Sequence, residues 1–216
     1  MRKHFKIAYN PYFLLPFAIW VIVGGLLLRS YDKRALFEYV NSHHTPAADT
    51  LMYYITMMGQ AEVIVPVLLL LILVPALRNV WYVATALTSN IIPLVLQQGV
   101  KSYYDLPRPL NYFNNAAWIH INPEWPVLMA RSFPSGHSEG AFSFFCFLAM
   151  ILTPKYRAWG ALFFVLALSV CYSRLYLAAH FFADVYVGSI IGVVITMFVF
   201  VVMNICRELV LNRKKS

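Results

Sequence analysis

Charged side chains are what this sequence has least of: Asp, Glu, Lys and Arg make up 12% of its 216 residues, against about 25% in a soluble domain. So little polar surface cannot coat a body in water. With 61% hydrophobic residues and a mean hydropathy of +0.65 spread over most of the length, the solvent is largely lipid. An ordinary cytosolic globule, a disordered chain and a coiled coil are all excluded. Nine glycines with no triplet period exclude collagen. Three cysteines, Cys146, Cys171 and Cys206, each lie in an apolar run. They offer neither a disulfide framework nor a C-x-x-C metal spacing and read as buried core residues. There is no fixed-period repeat, low-complexity stretch or Pro-rich linker, so residues 1–216 read as a single domain.

Positive charge, by contrast, is in excess: 17 Lys and Arg against nine Asp and Glu give a formal charge of +8. In a soluble protein that would suggest nucleic acid. Here no nucleic-acid partner is expected, and two simpler readings apply: residues that orient the chain in a membrane, and a site for an anion.

A membrane-crossing helix takes about 20 mainly apolar residues. Six stretches qualify, at 11–28, 54–77, 80–100, 136–152, 158–173 and 180–205. The expected fold is an all-α, polytopic bundle of six transmembrane helices. The first stretch follows Arg2, Lys3 and Lys6 like a signal peptide, but its end, Leu26-Leu27-Leu28-Arg29, lacks a small-x-small cleavage pattern, so it reads as an anchor. Pro16, Pro66 and Pro93 fall inside spans, which neighbouring helices tolerate in a membrane. Tyr12, Trp81 and Trp159 sit at span edges as interfacial aromatics.

Assigning the basic residues to alternate ends of the spans puts ten on one side (Arg2, Lys3, Lys6, Arg78, Lys155, Arg157, Arg207, Arg213, Lys214, Lys215). The other side receives seven (Arg29, Lys33, Arg34, Lys101, Arg108, Arg131, Arg174). The positive-inside rule makes the first set cytoplasmic, with both termini in the cytoplasm. Residues 29–53 and 102–135 are expected to lie across the outer mouth of the bundle as short cap segments.

Three outer stretches carry polar groups that a bundle avoids unless they act together: Lys101 to Pro109, Arg131 to Ser138, and Ser173 to Asp184. Lys101, Arg108 and Arg174 bring three cations to one point, and Arg presents a planar fork that fits phosphate oxygens in pairs. Pro134-Ser135-Gly136 precedes a helix, so backbone N–H groups at its N-terminus, with the Ser135 hydroxyl, can add donors to the same anion. His180 and Asp184 are four apart, on one helical face. There the carboxylate can accept the Nδ1 proton and leave Nε2 free to attack. An acid about one turn into a membrane helix is a functional candidate in itself. His137, on a separate helix start, can supply the proton that a leaving oxygen needs. Clamp, nucleophile, orienting carboxylate and acid are all present without a metal or other cofactor.

The pattern Lys101-x6-Arg108-Pro109, Pro134-Ser135-Gly136-His137 and Ser173-Arg174-x5-His180-x3-Asp184 resembles the signature of the type 2 phosphatidic acid phosphatase superfamily, K-x6-R-P, P-S-G-H and S-R-x5-H-x3-D, matched with full spacing. The resemblance implies a helical membrane bundle with its site at the outer leaflet. It implies a phosphohistidine at His180, proton donation by His137, and phosphate binding by Lys101, Arg108, Ser135, Gly136 and Arg174, with no metal. The implied activity is removal of a terminal phosphate from a membrane lipid in a bacterial cytoplasmic (inner) membrane. Undecaprenyl pyrophosphate is the favoured substrate; a lipid A 1- or 4'-phosphate, phosphatidylglycerol phosphate and phosphatidate are alternatives. The vanadium-dependent haloperoxidases share the signature but are soluble. An anion transporter built on the same cations is a remote alternative, since transporters place their sites near the midplane. Outside the signature, Arg131 is a candidate to extend the clamp to a second phosphate and Glu139 to contact a head group or a basic residue of the signature. Gln97 is expected to hydrogen-bond to a neighbouring helix. Glu62 stays undecided, and His43, His44 and His120 receive no role.

Overall fold

A computed structural model of the protein describes residues 9–213, and every regular element among them is helical. Arg2, Lys3, Lys6, Lys214 and Lys215, used above for orientation, lie outside the described residues. The helices are α1 (Pro11–Ser30), α2 (Lys33–Asn41), α3 (Pro46–Met57), α4 (Ala61–Leu71), α5 (Val80–Tyr104), α6 (Pro109–Tyr112), α7 (Gly136–Ile151), α8 (Trp159–Tyr176) and α9 (Phe182–Arg213). Many begin where a short polar side chain accepts from an unpaired first-turn N–H. Asn10, Asp32, Thr45, Asn79 and Ser135 do so for α1, α2, α3, α5 and α7. Proline opens α1, α3 and α6, where its missing N–H costs nothing.

Among the described residues, four helices are long and apolar enough to cross a membrane, and five crossings result when α3 and α4, bent by 52° at their junction, count as one broken span. The continuous span expected at 54–77 is therefore not continuous. It starts earlier, at Pro46, and breaks at Met58-Gly59-Gln60. At 16 residues, α7 is short for a crossing. It is also the most enclosed helix, with Phe142, Phe147, Cys146 and Ala141 fully buried.

The centre of the molecule is the packing of α7 against α9, α8 and α5. A Cβ at Gly188 would stand 2.5 Å from the Ser135 carbonyl oxygen, and one at Gly192 would stand 2.5 Å from that of Glu139. These glycines, four apart on α9, let two backbones touch, the usual way for helices to gain contact where lipid removes the hydrophobic drive. At the far end Asn10 donates to the carbonyls of Ala149 (3.0 Å) and Arg157 (3.1 Å), which ties the start of α1 to the end of α7. Cys146 and Cys171 are buried as expected, but Cys206, in the last turns of α9, is exposed. Of the aromatics expected at span edges, Tyr12 and Trp159 are exposed and Trp81 is half-buried.

The segment expected at 29–53 forms α2 and the start of α3. Phe37 of α2 is fully buried and packs against Phe113, Trp118 and Phe181. That contact brings α2 and residues 113–119 together beside the α8–α9 connection.

Candidate active site

The ends of α5 and α8 and the starts of α7 and α9 meet at one end of the bundle, and the three polar stretches converge there. Arg108, at the N-terminus of α6, is 7% exposed. Its guanidinium donates to the carbonyls of Ala130 (2.8 Å) and Ala179 (2.8 Å), and Nη1 lies 3.2 Å from His180 Nε2. Arg174, in the last turn of α8, is fully buried. Its Nη1 donates to Thr56 Oγ1 and its guanidinium carbon lies 4.5 Å from the centre of the Trp125 ring. Its Nε and Nη2 have no protein partner. Lys101, in the last turn of α5, shares the electrostatic surroundings of Arg108, Arg174 and Asp184.

His180 sits in the turn between α8 and α9. This turn is shaped by the left-handed backbone of Ala178 (φ 50°) and by the N–H groups of Ala179 and His180 donating to the Arg174 carbonyl. The ring's Nδ1 is 3.4 Å from Asp184 Oδ2. That same carboxylate oxygen accepts from the Ser132 hydroxyl and from the Phe181 N–H (2.9 Å). Asp184 is thus held by three donors around one oxygen, which offsets the cost of burying it. Burial, and then the positive charges of Arg108, Arg174 and Lys101, push the His180 pKa well below its ordinary 6.5 and keep the ring neutral. Nε2 is not idle as expected: Arg108 approaches it.

Ser135 caps α7, with its Oγ 3.4 Å from the Ser138 N–H and 3.0 Å from the Ser138 hydroxyl. The Ser135 N–H donates to the Asp184 carbonyl (3.0 Å), which fixes the start of α7 on the first turn of α9. His137 follows in the first turn, its Nε2 3.0 Å from Gln60 Nε2 and its ring edge-on to Trp125 at 5.7 Å. All eight residues expected to bind phosphate or act on it therefore surround one place. Among the described residues, no group of three or more His, Cys, Asp or Glu side chains is placed to hold a metal ion.

A model of the PAP2 superfamily matches residues 78–208, more than half the chain and all three polar stretches. The chain belongs to the PAP2 superfamily. As a member it is a phosphatase, and its apolar helices make it an integral membrane protein. The undecaprenyl-diphosphatase of Sulfolobus acidocaldarius is 27% identical over 196 residues, covering 89% of this chain and 88% of that protein. Two crystal structures share the fold. The LpxE of Aquifex aeolicus superposes with a TM-score of 0.68 at 24% identity, over 80% of this chain and 98% of that one. The first transmembrane PAP2 type phosphatidylglycerolphosphate phosphatase from Bacillus subtilis superposes with a TM-score of 0.61 at 20% identity, over 89% and 94%.

Four further polar residues lie outside the PAP2 signature. Arg131 is exposed at the rim, where Nη2 donates to Ser102 Oγ (3.1 Å) and Gln98 Oε1 (3.4 Å), and its carbonyl accepts from Arg108. Glu139 is 1% exposed and lies inside the α7–α9 contact, accepting from the Ser143 hydroxyl (3.1 Å). Gln97 donates not to a helix but to the carbonyl of Pro134 (3.4 Å), supporting the loop into α7. Glu62 is exposed in the first turn of α4.

Three groupings went unread in the sequence. Thr56 meets Arg174, and Gln60 meets His137. His120 Nε2 lies 2.6 Å from Asp49 Oδ1, which also accepts from the Tyr176 hydroxyl (2.7 Å), while Asn41 bonds His120 and the Tyr176 carbonyl. This last network straps α2, α3 and residues 120–122 to the end of α8, two residues beyond Arg174. No local spacing announces any of these contacts, since their partners are far apart in the chain.

Proposed function

We propose that this PAP2 phosphatase removes the terminal phosphate of undecaprenyl pyrophosphate, through a phosphohistidine on His180 and without a metal, at the extracytoplasmic face of the cytoplasmic membrane. The observation that carries the reading is Arg174: a fully buried guanidinium with two nitrogens unpaired, beside Arg108, Lys101 and a neutral imidazole. A buried donor without a partner is costly unless a ligand takes it, and a phosphate dianion matches a guanidinium edge in pairs. The choice of lipid is supported by the similarity to the Sulfolobus acidocaldarius enzyme along most of both chains.

The steps follow from the positions. Phosphate draws the guanidinium of Arg108 off His180 Nε2 and onto its own oxygens, shared with Arg174, Lys101, the Ser135 hydroxyl and the N–H group of Gly136. The freed Nε2 lone pair attacks the terminal phosphorus, while Asp184 holds the ring by Nδ1. The bond from phosphorus to the lipid oxygen breaks, and His137 gives that oxygen a proton. Water then attacks the phosphorus of phosphohistidine and returns its proton to His137, the P–N bond breaks, and inorganic phosphate leaves.

In this reading residues 1–216 form one domain with six crossings, the broken α3–α4 pair and the short α7 included. Both termini are cytoplasmic. The tie between Asn10 and the far end of α7 supports this, since it starts α1 opposite the site. The segments around α2 and residues 109–125 cap the outer mouth.

The test is phosphate release by purified protein in detergent from undecaprenyl pyrophosphate, a lipid A phosphate, phosphatidylglycerol phosphate and phosphatidate, with chelator present and His180→Ala in parallel. Release that survives chelation, favours the first lipid and vanishes in the variant is expected. Turnover retained by a folded His180→Ala protein overturns the nucleophile, and preference for another lipid overturns the substrate.

A further inference from the structure

We infer that the break between α3 and α4 is a working part of the site, and that Gln60 is the positioning residue of the proton donor. The inference rests on the proposed role of His137 as acid. The break brings backbone, not side chain, against the first turn of α7. A Cβ at Gly59 would stand 2.5 Å from the His137 carbonyl oxygen and 3.1 Å from its carbon, and one at Gly140 would stand 3.0 Å from the Gly59 carbonyl oxygen. No side chain fits either position without shifting one backbone off the other. This contact seats the next residue, Gln60, with its amide 3.0 Å from His137 Nε2.

The bland reading is that Gln60 merely starts α4. It stands at the cap position, but its side chain makes no capping hydrogen bond. The amide is turned to His137 instead.

The chemistry of an amide suits that place. A proton donor alternates between imidazolium and neutral imidazole in each cycle, and a partner must serve both. With Nδ1 facing the leaving oxygen, the imidazolium gives up its Nδ1 proton and keeps the one on Nε2, so the Gln60 amide, turned over, offers its carbonyl to that N–H before and after the transfer; its NH2 donates to Nε2 in the resting neutral tautomer protonated at Nδ1. The edge contact with Trp125 restricts the ring from another side. One turn before the break, Thr56 holds Nη1 of Arg174. The same junction therefore orients the proton donor and the buried clamp.

The test separates proton donation from folding by the leaving group. An alkyl phosphate leaves as an alkoxide and needs the proton, whereas p-nitrophenyl phosphate leaves as a stabilised phenolate and needs it little. In the full-length protein in detergent, Gln60→Met keeps length and packing but cannot hydrogen-bond. It is expected to lower kcat/KM for a long-chain alkyl phosphate by about 10- to 100-fold, as loss of a partner orienting a working histidine does, with KM unchanged and p-nitrophenyl phosphate scarcely affected. Gln60→Glu places a carboxylate on the ring, favours the imidazolium, and is expected to move the alkaline limb of the pH profile upward.

His137→Ala is run beside them. If it shows the leaving-group selectivity and Gln60→Met does not, or if Gln60→Met lowers both substrates alike, the inference is overturned while the proposed acid stands. If His137→Ala shows no selectivity, the acid assignment and the inference fall together. A Gln60→Glu protein whose alkaline limb stays in place also overturns it, whether or not the Met variant folds.

Discussion

Replacing Arg174 by Met removes a buried cation and leaves a side chain of comparable length in its place. In the ligand-free protein the guanidinium spends one nitrogen on Thr56, lies over Trp125, and leaves Nε and Nη2 unpaired. Substituting an apolar side chain for a poorly compensated buried charge is neutral or stabilising, so the melting temperature in detergent is expected to hold or rise. Catalysis should respond in the opposite direction. Two charge-assisted hydrogen bonds to phosphate, at about 1.5–3 kcal/mol each, amount to about 3–6 kcal/mol. At about 1.4 kcal/mol per decade, kcat/KM falls by about 10²- to 10⁴-fold. Arg174→Lys keeps the charge but loses the fork, and should lose about half of that free energy. The assay pairs steady-state phosphate release with thermal unfolding at increasing inorganic phosphate. The wild type gains about 2.7 kcal/mol at a hundredfold excess over Kd, and Arg174→Met gains no more than about 0.4 kcal/mol at the same concentration. A variant that keeps wild-type kcat/KM, or that is inactive only because it unfolds, refutes the assignment of Arg174 as the buried half of a phosphate clamp.

In the proposed mechanism the acid limb of kcat/KM is set by protonation of His180, whose pKa burial and three cations hold below 6.5. The neutral form is lost only as pH falls through that lowered value, so activity should persist at pH 6, and an acid limb at or above 6.5 would contradict this environment for His180. Asp184→Asn leaves the packing intact but weakens the hold on His180 Nδ1 and on the Ser132 hydroxyl. A loss on the order of 10²- to 10⁴-fold in kcat with little change in KM is expected from stopped-flow or steady-state release, and an unchanged kcat would remove Asp184 from the mechanism. Gly188→Leu drives a side chain into the Ser135 carbonyl; overpacking of about 1–3 kcal/mol or more should lower the melting temperature and displace the start of α7, and a variant as stable as wild type would show the α7–α9 contact to be looser than described.

The candidate constellation was legible because its parts are local. His180 and Asp184 are four residues apart, Arg108 stands seven after Lys101, and Ser135 to His137 are consecutive. Each spacing implies a face or a helix start, and the alternation of spans brings the three stretches to one end. What stayed hidden depends on partners distant in the chain. Thr56 and Gln60 are ordinary polar residues in an apolar stretch, and nothing near them points to Arg174 and His137, 118 and 77 residues away. The break in the second span was equally unreadable. Met58-Gly59-Gln60 carries no proline, and a hydropathy window slides across it unchanged; its cause is the close approach of Gly59 to α7. Glu139, read as a contact for a head group or a basic signature residue, lies buried in the α7–α9 seam on the Ser143 hydroxyl and within the field of Lys101.

The charges of the site also explain why such a pocket is tolerated in an apolar bundle. Lys101 and Arg108 share the field of the Asp184 carboxylate, whose Oδ2 already accepts from Ser132 and Phe181, while Arg174 lies in the field of Arg108. Mutual repulsion of three partly or wholly buried cations destabilises the empty site, and a phosphate dianion relieves it. Binding energy is therefore stored in the fold before the substrate arrives, as electrostatic preorganisation rather than as new packing. The same relief acts on inorganic phosphate, so the product holds the site by the interactions that recruited the substrate. The helical scaffold keeps the cations from moving apart: Arg174 is pinned by Thr56 and Trp125, and Arg108 by the carbonyls of Ala130 and Ala179. In the proposed mechanism, rigid fixation of like charges around one neutral imidazole is what allows phosphoryl transfer by the bundle's own side chains.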